Sequence, residues 1–108
     1  MMRGELWTAA ATGYAGKPRP VVILQDDRFD ATESITVALI TTVQAELPLL
    51  RLPIRRSDFN GLDRDSDVMI DKVMTIPRVR LGERIGRLSD DQTVQLDRGL
   101  MVFLGLAG

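Results

Sequence analysis

The chain has 108 residues and a formal net charge of −1, and it contains no cysteine and no histidine. These absences exclude disulfides, a thiolate nucleophile and sulfur-ligated zinc, and they remove the commonest general acid–base group and metal ligand. Any catalysis therefore depends on carboxylates, hydroxyls, a tyrosine, lysines or arginines. The length predicts one domain over residues 1–108, and 44% hydrophobic with 27% charged residues is typical of a globular protein.

Charge is unevenly distributed along the chain. Residues 51–87 hold nine basic and six acidic residues, whereas residues 1–50 hold four and six and residues 88–108 hold one and three. This pattern is compatible with a local basic surface, although arginines scattered over a solvated face are the commoner explanation. No segment has the apolar length of a signal peptide core or of a membrane span, so we expect a cytoplasmic protein that does not enter membranes.

The first half of the chain predicts three strands. Residues 4–11 form the first strand and are followed by a loop, TGYAGKPRP, with two glycines and two prolines. The prolines confine the backbone of Arg19. The apolar runs at 21–24 and 35–41 are typical of adjacent central strands of one sheet, for which a meander is the simplest arrangement.

Three further strands are predicted in the second half. Prolines at two positions limit residues 47–54 to an edge or irregular strand. A polar loop built around Asn60-Gly61 follows, and residues 68–76 and 81–88 form two short strands. Gly86 in the last of these, like Gly82, marks a bulge or a close backbone contact.

The last segment predicts a helix. Ser89 and Gln92 have the spacing of a capping box, and Gly105 is a natural stop. An apolar stripe should face the sheet; its members are Leu96, Leu100, Phe103 and Leu104. Val94, Met101 and Val102 add apolar surface beside it, which indicates either a subunit contact or coverage by loops. The elements together predict a small, strongly bent antiparallel barrel with the helix packed against it.

Five segments, in this order, resemble the MazF/PemK family of toxins from bacterial type II toxin–antitoxin systems. They are RGELW (3–7), KPRPVVILQDDRF (17–29), ALIT (38–41), LDRDSDVMID (62–71) and RLGERIGRLS (80–89). The resemblance implies a mainly β fold, an SH3-like antiparallel barrel with a C-terminal α-helix, as in the CcdB/MazF plasmid-maintenance toxin fold. It further implies a homodimeric endoribonuclease that cuts single-stranded RNA without a metal or other cofactor, and a cognate antitoxin that blocks it.

By the same resemblance the catalytic residues are Arg19, in the RPV motif, and Thr41, at the end of the third predicted strand. In RNA transesterification the ribose 2′-OH attacks its own phosphate, and charge builds on the phosphoryl oxygens. A guanidinium offers a planar fork of donors to those oxygens, and a threonine hydroxyl adds another. Without the family pattern, Arg19 is more simply a strand-end surface residue and Thr41 a hydroxyl bonded to backbone.

The resemblance also gives five candidate RNA-binding residues, Lys17, Thr42, Tyr14, Arg64 and Lys72. Tyr14 falls where some family members carry a catalytic glutamate, which leaves the acid–base partner open. Lys72 stands where a glutamine often contacts RNA, and Met74 stands where arginine is frequent. These differences predict an altered sequence preference.

Other interpretations stay open from sequence. Asp26, Asp27 and Asp30 could form a metal cluster, although a charged turn explains them more simply. A gyrase poison of the related CcdB type is associated with a Trp-Gly-Ile end, whereas this chain ends in LAG. A peptide-binding SH3-like module normally exposes aromatic residues, and Trp, Tyr and Phe total only five here.

Overall fold

The computed structural model describes residues 1–10 and 17–107. Tyr14, one of the candidate RNA-binding residues, lies outside this range. The described residues form six strands and one α-helix, with single 3₁₀ turns at Asp27–Phe29 and Arg78–Arg80. The elements are β1 Glu5–Ala9, β2 Arg19–Ile23, β3 Ser34–Thr41, β4 Arg51–Ile54, β5 Ser66–Pro77, β6 Leu81–Arg87 and α1 Asp90–Phe103.

All strand pairs of the sheet are antiparallel, and the strand order is β4-β5-β3-β2-β1-β6. The predicted mainly β architecture with a C-terminal helix is confirmed, as are β2 and β3 as adjacent central strands. The meander is wrong beyond β3. Four-residue β4 contains Pro53, which restricts it to an edge, so twelve-residue β5 takes the place beside β3 and β6 returns to pair with β1.

Apolar side chains cover both faces of the central strands. On one face Leu6, Val22 and Val68 pack with Leu96 and Leu100 of α1. On the other face lies a second buried group, composed of Ala9, Val21, Ile23, Ile35, Val37 and Ile76. Alternating side chains of β2 and β3 serve both groups, which explains why their sequences are continuously apolar.

The capping box at the start of α1 is confirmed. The Ser89 side chain accepts a hydrogen bond from Gln92 N, and the Gln92 side chain accepts one from Ser89 N. The predicted apolar stripe is wrong at its end, because Phe103 is 45% and Leu104 56% exposed. The helix reaches the sheet through its middle, and no described element covers its last turns. It is too short to cross a membrane, and no other described helix could do so.

Gly86 confirms the predicted close backbone contact. A Cβ atom at this position would lie 2.3 Å from the carbonyl carbon of Asn60, so the loop before β5 lies directly against β6. The register between β1 and β6 also shifts twice, between Leu6 and Trp7 and between Trp7 and Ala9. These irregularities bend the edge of the sheet at the point where β6 meets β1.

Candidate active site

Arg19 and Thr41 lie at neighbouring strand ends. Arg19 is the first residue of β2, and Thr41 is the last residue of β3. The β2–β3 register pairs Val21 with Leu39, and continuing it by two residues puts Arg19 opposite Thr41. Because side chains alternate along a strand, both residues are on the face that carries Val21 and Leu39.

A cavity of about 570 Å³ opens on this face. Arg19 and Thr41 line it together with a third polar residue, Arg80, and no acidic residue is among the described residues that line it. The two charged groups at the cavity are therefore both guanidiniums. The apolar part of the lining includes Val21, Val37, Leu39, Met69, Met74 and Ile76.

Arg80 reaches the cavity from the opposite side of β1. It ends the 3₁₀ turn before β6, and its carbonyl accepts a hydrogen bond from Ala10 N at 2.9 Å. Ala9 pairs with Arg19 on one side and with Leu81 on the other, so the end of β1 lies between the two arginines. No local sequence pattern marks Arg80 as a site residue, because only the return of β6 to β1 brings it to the cavity.

The hydroxyl of Thr41 has a defined acceptor role. Its Oγ1 accepts a hydrogen bond from Val43 N at 3.1 Å. A hydroxyl carries one proton and two lone pairs, so this bond leaves the O–H proton able to point at an acceptor in the cavity. Thr41 can therefore donate to a bound phosphate oxygen without giving up its contact with the chain.

Four candidate RNA-binding residues, Lys17, Thr42, Arg64 and Lys72, are not among the described residues that line the cavity. Lys17 and Thr42 are exposed and next to or near Arg19 and Thr41 in the chain. Arg64 is exposed in the loop before β5, and Lys72 is exposed on β5 with its Nζ 4.0 Å from the Asp71 carboxylate. The structure thus brings Arg19 and Thr41 together and leaves these four exposed on the surface.

Asp26, Asp27 and Asp30 form a charged turn. Asp26 caps the 3₁₀ turn by accepting from Arg28 N at 2.9 Å, and Asp27 accepts from Arg3 N at 2.7 Å. Hydrogen bonds from the Arg28 backbone and side chain lower the pKa of Asp26. Over residues 1–10 and 17–107, no group of three or more Asp, Glu, His or Cys residues could hold a metal ion.

The fold and site define a small β protein with a cationic, partly apolar cavity at the end of its central strands. Residues 2–104 match the model of a family described as the PemK-like, MazF-like toxin of type II toxin–antitoxin systems. This match covers almost the whole chain. The chain therefore belongs to the PemK/MazF-like toxin family.

Individual relatives support the same assignment. A probable endoribonuclease MazF from Mycolicibacterium smegmatis is 55% identical to the chain, with both sequences covered completely. The structure of Mycobacterium tuberculosis toxin MazF-mt6 is 30% identical, covers 96% of this chain and 99% of its own, and has a TM-score of 0.82. A mycobacterial endoribonuclease solved with its cognate antitoxin is 22% identical, with a TM-score of 0.83 over 100% of this chain and 98% of its own, and shows the shared fold.

Proposed function

We propose that this toxin is an endoribonuclease that cuts single-stranded RNA at short sequences without a metal ion, with Arg19 and Thr41 at the reacting phosphate. The observation that carries the proposal is one cavity lined by two guanidiniums and a hydroxyl, with no carboxylate among its described lining residues. The two positive charges attract the anionic phosphodiester, and no described lining residue carries a negative charge that would repel it. Membership of the toxin family and the name of the 55% identical relative support it.

In the proposed reaction the ribose 2′-oxygen attacks the adjacent phosphorus and the bond to the 5′-oxygen breaks. The products are a 2′,3′-cyclic phosphate and a 5′-hydroxyl. Arg19 and Thr41 donate hydrogen bonds to the phosphoryl oxygens, on which negative charge grows in the transition state. Arg19 stays protonated throughout, so the 2′-OH proton passes to solvent and a water molecule protonates the leaving oxygen.

The remaining lining residues suit the rest of a nucleotide strand. Arg80 is placed to contact a second phosphate, and the apolar part of the lining, with Leu39, Met69 and Met74, can pack against a base. Polarizable methionine sulfur packs well against aromatic rings. Lys17, Thr42, Tyr14, Arg64 and Lys72 make further contacts with RNA in this proposal.

The wider setting follows from the family. We propose that the chain is a single domain over residues 1–108, acts in the cytoplasm as a homodimer, and is blocked by a cognate antitoxin. The exposed apolar end of α1 supports a subunit contact. The antitoxin in the structure of the 22% identical endoribonuclease supports the antitoxin partner.

The test is RNA cleavage by the purified full chain in EDTA. We expect a long unstructured RNA to give discrete fragments with 5′-hydroxyl ends, and Arg19→Ala to lower the rate on the order of 100-fold or more. Arg98→Ala, which removes an exposed arginine of α1, is the matched control and should cut normally. Undiminished cleavage by Arg19→Ala would refute the role of Arg19. Intact RNA with double-strand DNA breaks in expressing cells would favour a gyrase poison instead.

A further inference from the structure

Asp67 is a buried carboxylate directly beside the candidate active site. It pairs with Thr41 across the β3–β5 ladder, and its side chain is 1% exposed. Among the residues that the structure describes, no other charged residue is buried to this degree. Burying a carboxylate costs free energy unless hydrogen-bond donors surround it, so the donors around Asp67 indicate its role.

The partners of Asp67 are in and around the segment that follows β3. Its Oδ2 accepts from Ala45 N at 3.0 Å and from Arg51 NH1 at 3.2 Å, and its Oδ1 accepts from Gln44 Nε2 at 3.3 Å. The same Arg51 NH1 donates to the carbonyl of Val43 at 3.0 Å. Asp67 and Arg51 thus hold three consecutive residues, 43–45, which we call the post-β3 segment.

The post-β3 segment has little else to hold it. It has no strand partner, and Val43 is 72% exposed. Residues 42–49 are all exposed, so few apolar contacts fix their backbone. The segment's position therefore depends on the hydrogen bonds to Asp67 and Arg51.

This segment in turn orients Thr41, since Val43 N donates to Thr41 Oγ1. We propose that Asp67 and Arg51 are positioning residues that hold the post-β3 segment and thereby aim the Thr41 hydroxyl at the reacting phosphate. The inference rests on the proposed function and goes beyond it by assigning a role to two residues that do not line the cavity. Neither residue contacts the substrate in this assignment.

Stability alone is a poor explanation for the pair. Replacing a buried ion pair by apolar residues of similar size is often neutral or stabilising, whereas removing one partner is strongly destabilising. Apart from the ion pair with Arg51, at the start of β4, every described hydrogen bond of the Asp67 carboxylate is to the post-β3 segment. This distribution indicates that the pair fixes one loop and does not hold the core together.

The decisive experiment is a double-mutant cycle on kcat with the full chain and a defined RNA oligonucleotide. Asp67→Asn keeps the shape of the side chain and removes its charge, and Thr41→Val keeps the shape and removes the hydroxyl. We expect Asp67→Asn to lower kcat about 10- to 100-fold with little change in KM, since small displacements of a reacting group have effects of this order. In the Thr41→Val background, Asp67→Asn should cause almost no further loss of kcat. Independent, multiplicative losses would overturn the proposal.

Two controls separate positioning from folding. Asp97→Asn breaks the 2.7 Å ion pair with Arg3, outside the cavity, and should lower Tm while leaving kcat unchanged. The double variant Asp67→Asn with Arg51→Gln leaves no unpaired buried charge, so its Tm should recover towards wild type while kcat stays low. Full recovery of kcat together with Tm would show a purely structural role and refute the inference.

The two proposals fail differently. If wild-type protein cuts no RNA, the proposed function itself is wrong. If wild-type protein cuts RNA and Arg19→Ala does not, but Asp67→Asn keeps a normal kcat, only the role of Asp67 and Arg51 is refuted.

Discussion

The two arginines at the cavity should contribute differently, because only Arg19 is opposite the Thr41 hydroxyl. Arg80 is on the far side of β1 and meets the same cavity from there. We therefore expect Arg19 to act mainly on the transition state and Arg80 mainly on binding of the strand. In kinetic terms, the first loss appears in kcat and the second in KM.

Salt dependence distinguishes these roles. Each phosphate contact with a single strand contributes about 0.7 to the slope of log affinity against log salt concentration. Arg80→Gln should therefore weaken binding of a 2′-O-methyl RNA oligonucleotide and reduce the slope by about 0.7, while kcat changes only a few-fold. Arg98→Gln serves as the control, with an unchanged slope. An unchanged slope in Arg80→Gln would remove Arg80 from the binding site.

Of the individual residues of the candidate site, the sequence predicted only some. Arg19 and Thr41 could be named because the family pattern marks both; their places at the ends of apolar runs did not by themselves indicate catalysis. Their proximity depends on the β2–β3 register, which neither run encodes alone. Arg80 and Asp67 could not be found, because the first needs the pairing of β6 with β1 and the second needs the burial of one acidic residue in a segment rich in charges.

Among the secondary-structure elements, β1 and β6 are joined by a polar contact as well as by the ladder. The Glu5 carboxylate accepts from Arg84 Nε at 2.7 Å, from Met2 N at 2.8 Å and from Trp7 Nε1 at 3.1 Å. Burial by itself raises the pKa of Glu5, but these hydrogen bonds and the Arg84 charge outweigh it and hold the pKa below the usual 4.5. Ionised Glu5 therefore stabilises the fold.

The sign of the pH dependence follows. A depressed carboxyl pKa contributes stability that is present above 4.5 and is lost as the pH falls through the lower, folded-state value. Glu5→Gln should lower Tm near neutral pH by several degrees, about 4–8 °C per kcal/mol for a domain near this size. The difference from wild type should shrink as the medium is acidified. Thermal melts over a pH series would check this, with exposed Glu83→Gln as the control; a pH-independent difference would contradict it.

The elements themselves were largely predictable, whereas their order was not. Capping chemistry marked the start of α1, proline marked β4 as an edge, and apolar runs marked β2 and β3. These are local properties of a few residues. The placing of β5 beside β3, and of β6 beside β1, depends on contacts between distant segments, and local patterns carry no information about them.

For the whole molecule, the remaining question is what covers the end of α1. Its last turns and the residues after them carry large apolar side chains that the described chain leaves exposed, namely Met101, Val102, Phe103, Leu104 and Leu106. We call this the helix-end surface. Contiguous apolar patches of this kind mark interaction sites in globular proteins. In the proposed homodimer, a contact between two copies of the chain would cover this surface.

If the helix-end surface is the subunit contact, a charge placed in it should separate the subunits. We expect wild-type protein to sediment at twice the mass of the chain, and Leu104→Glu to shift it to the single-chain mass at micromolar concentration, because burying an unpaired carboxylate in an apolar contact is strongly unfavourable. Val79→Glu is the matched control: Val79 is 92% exposed and lies outside the surface, so this variant should remain dimeric. A Leu104→Glu protein that keeps the wild-type mass would place the subunit contact elsewhere, and a wild-type protein of single-chain mass would leave the surface without this partner.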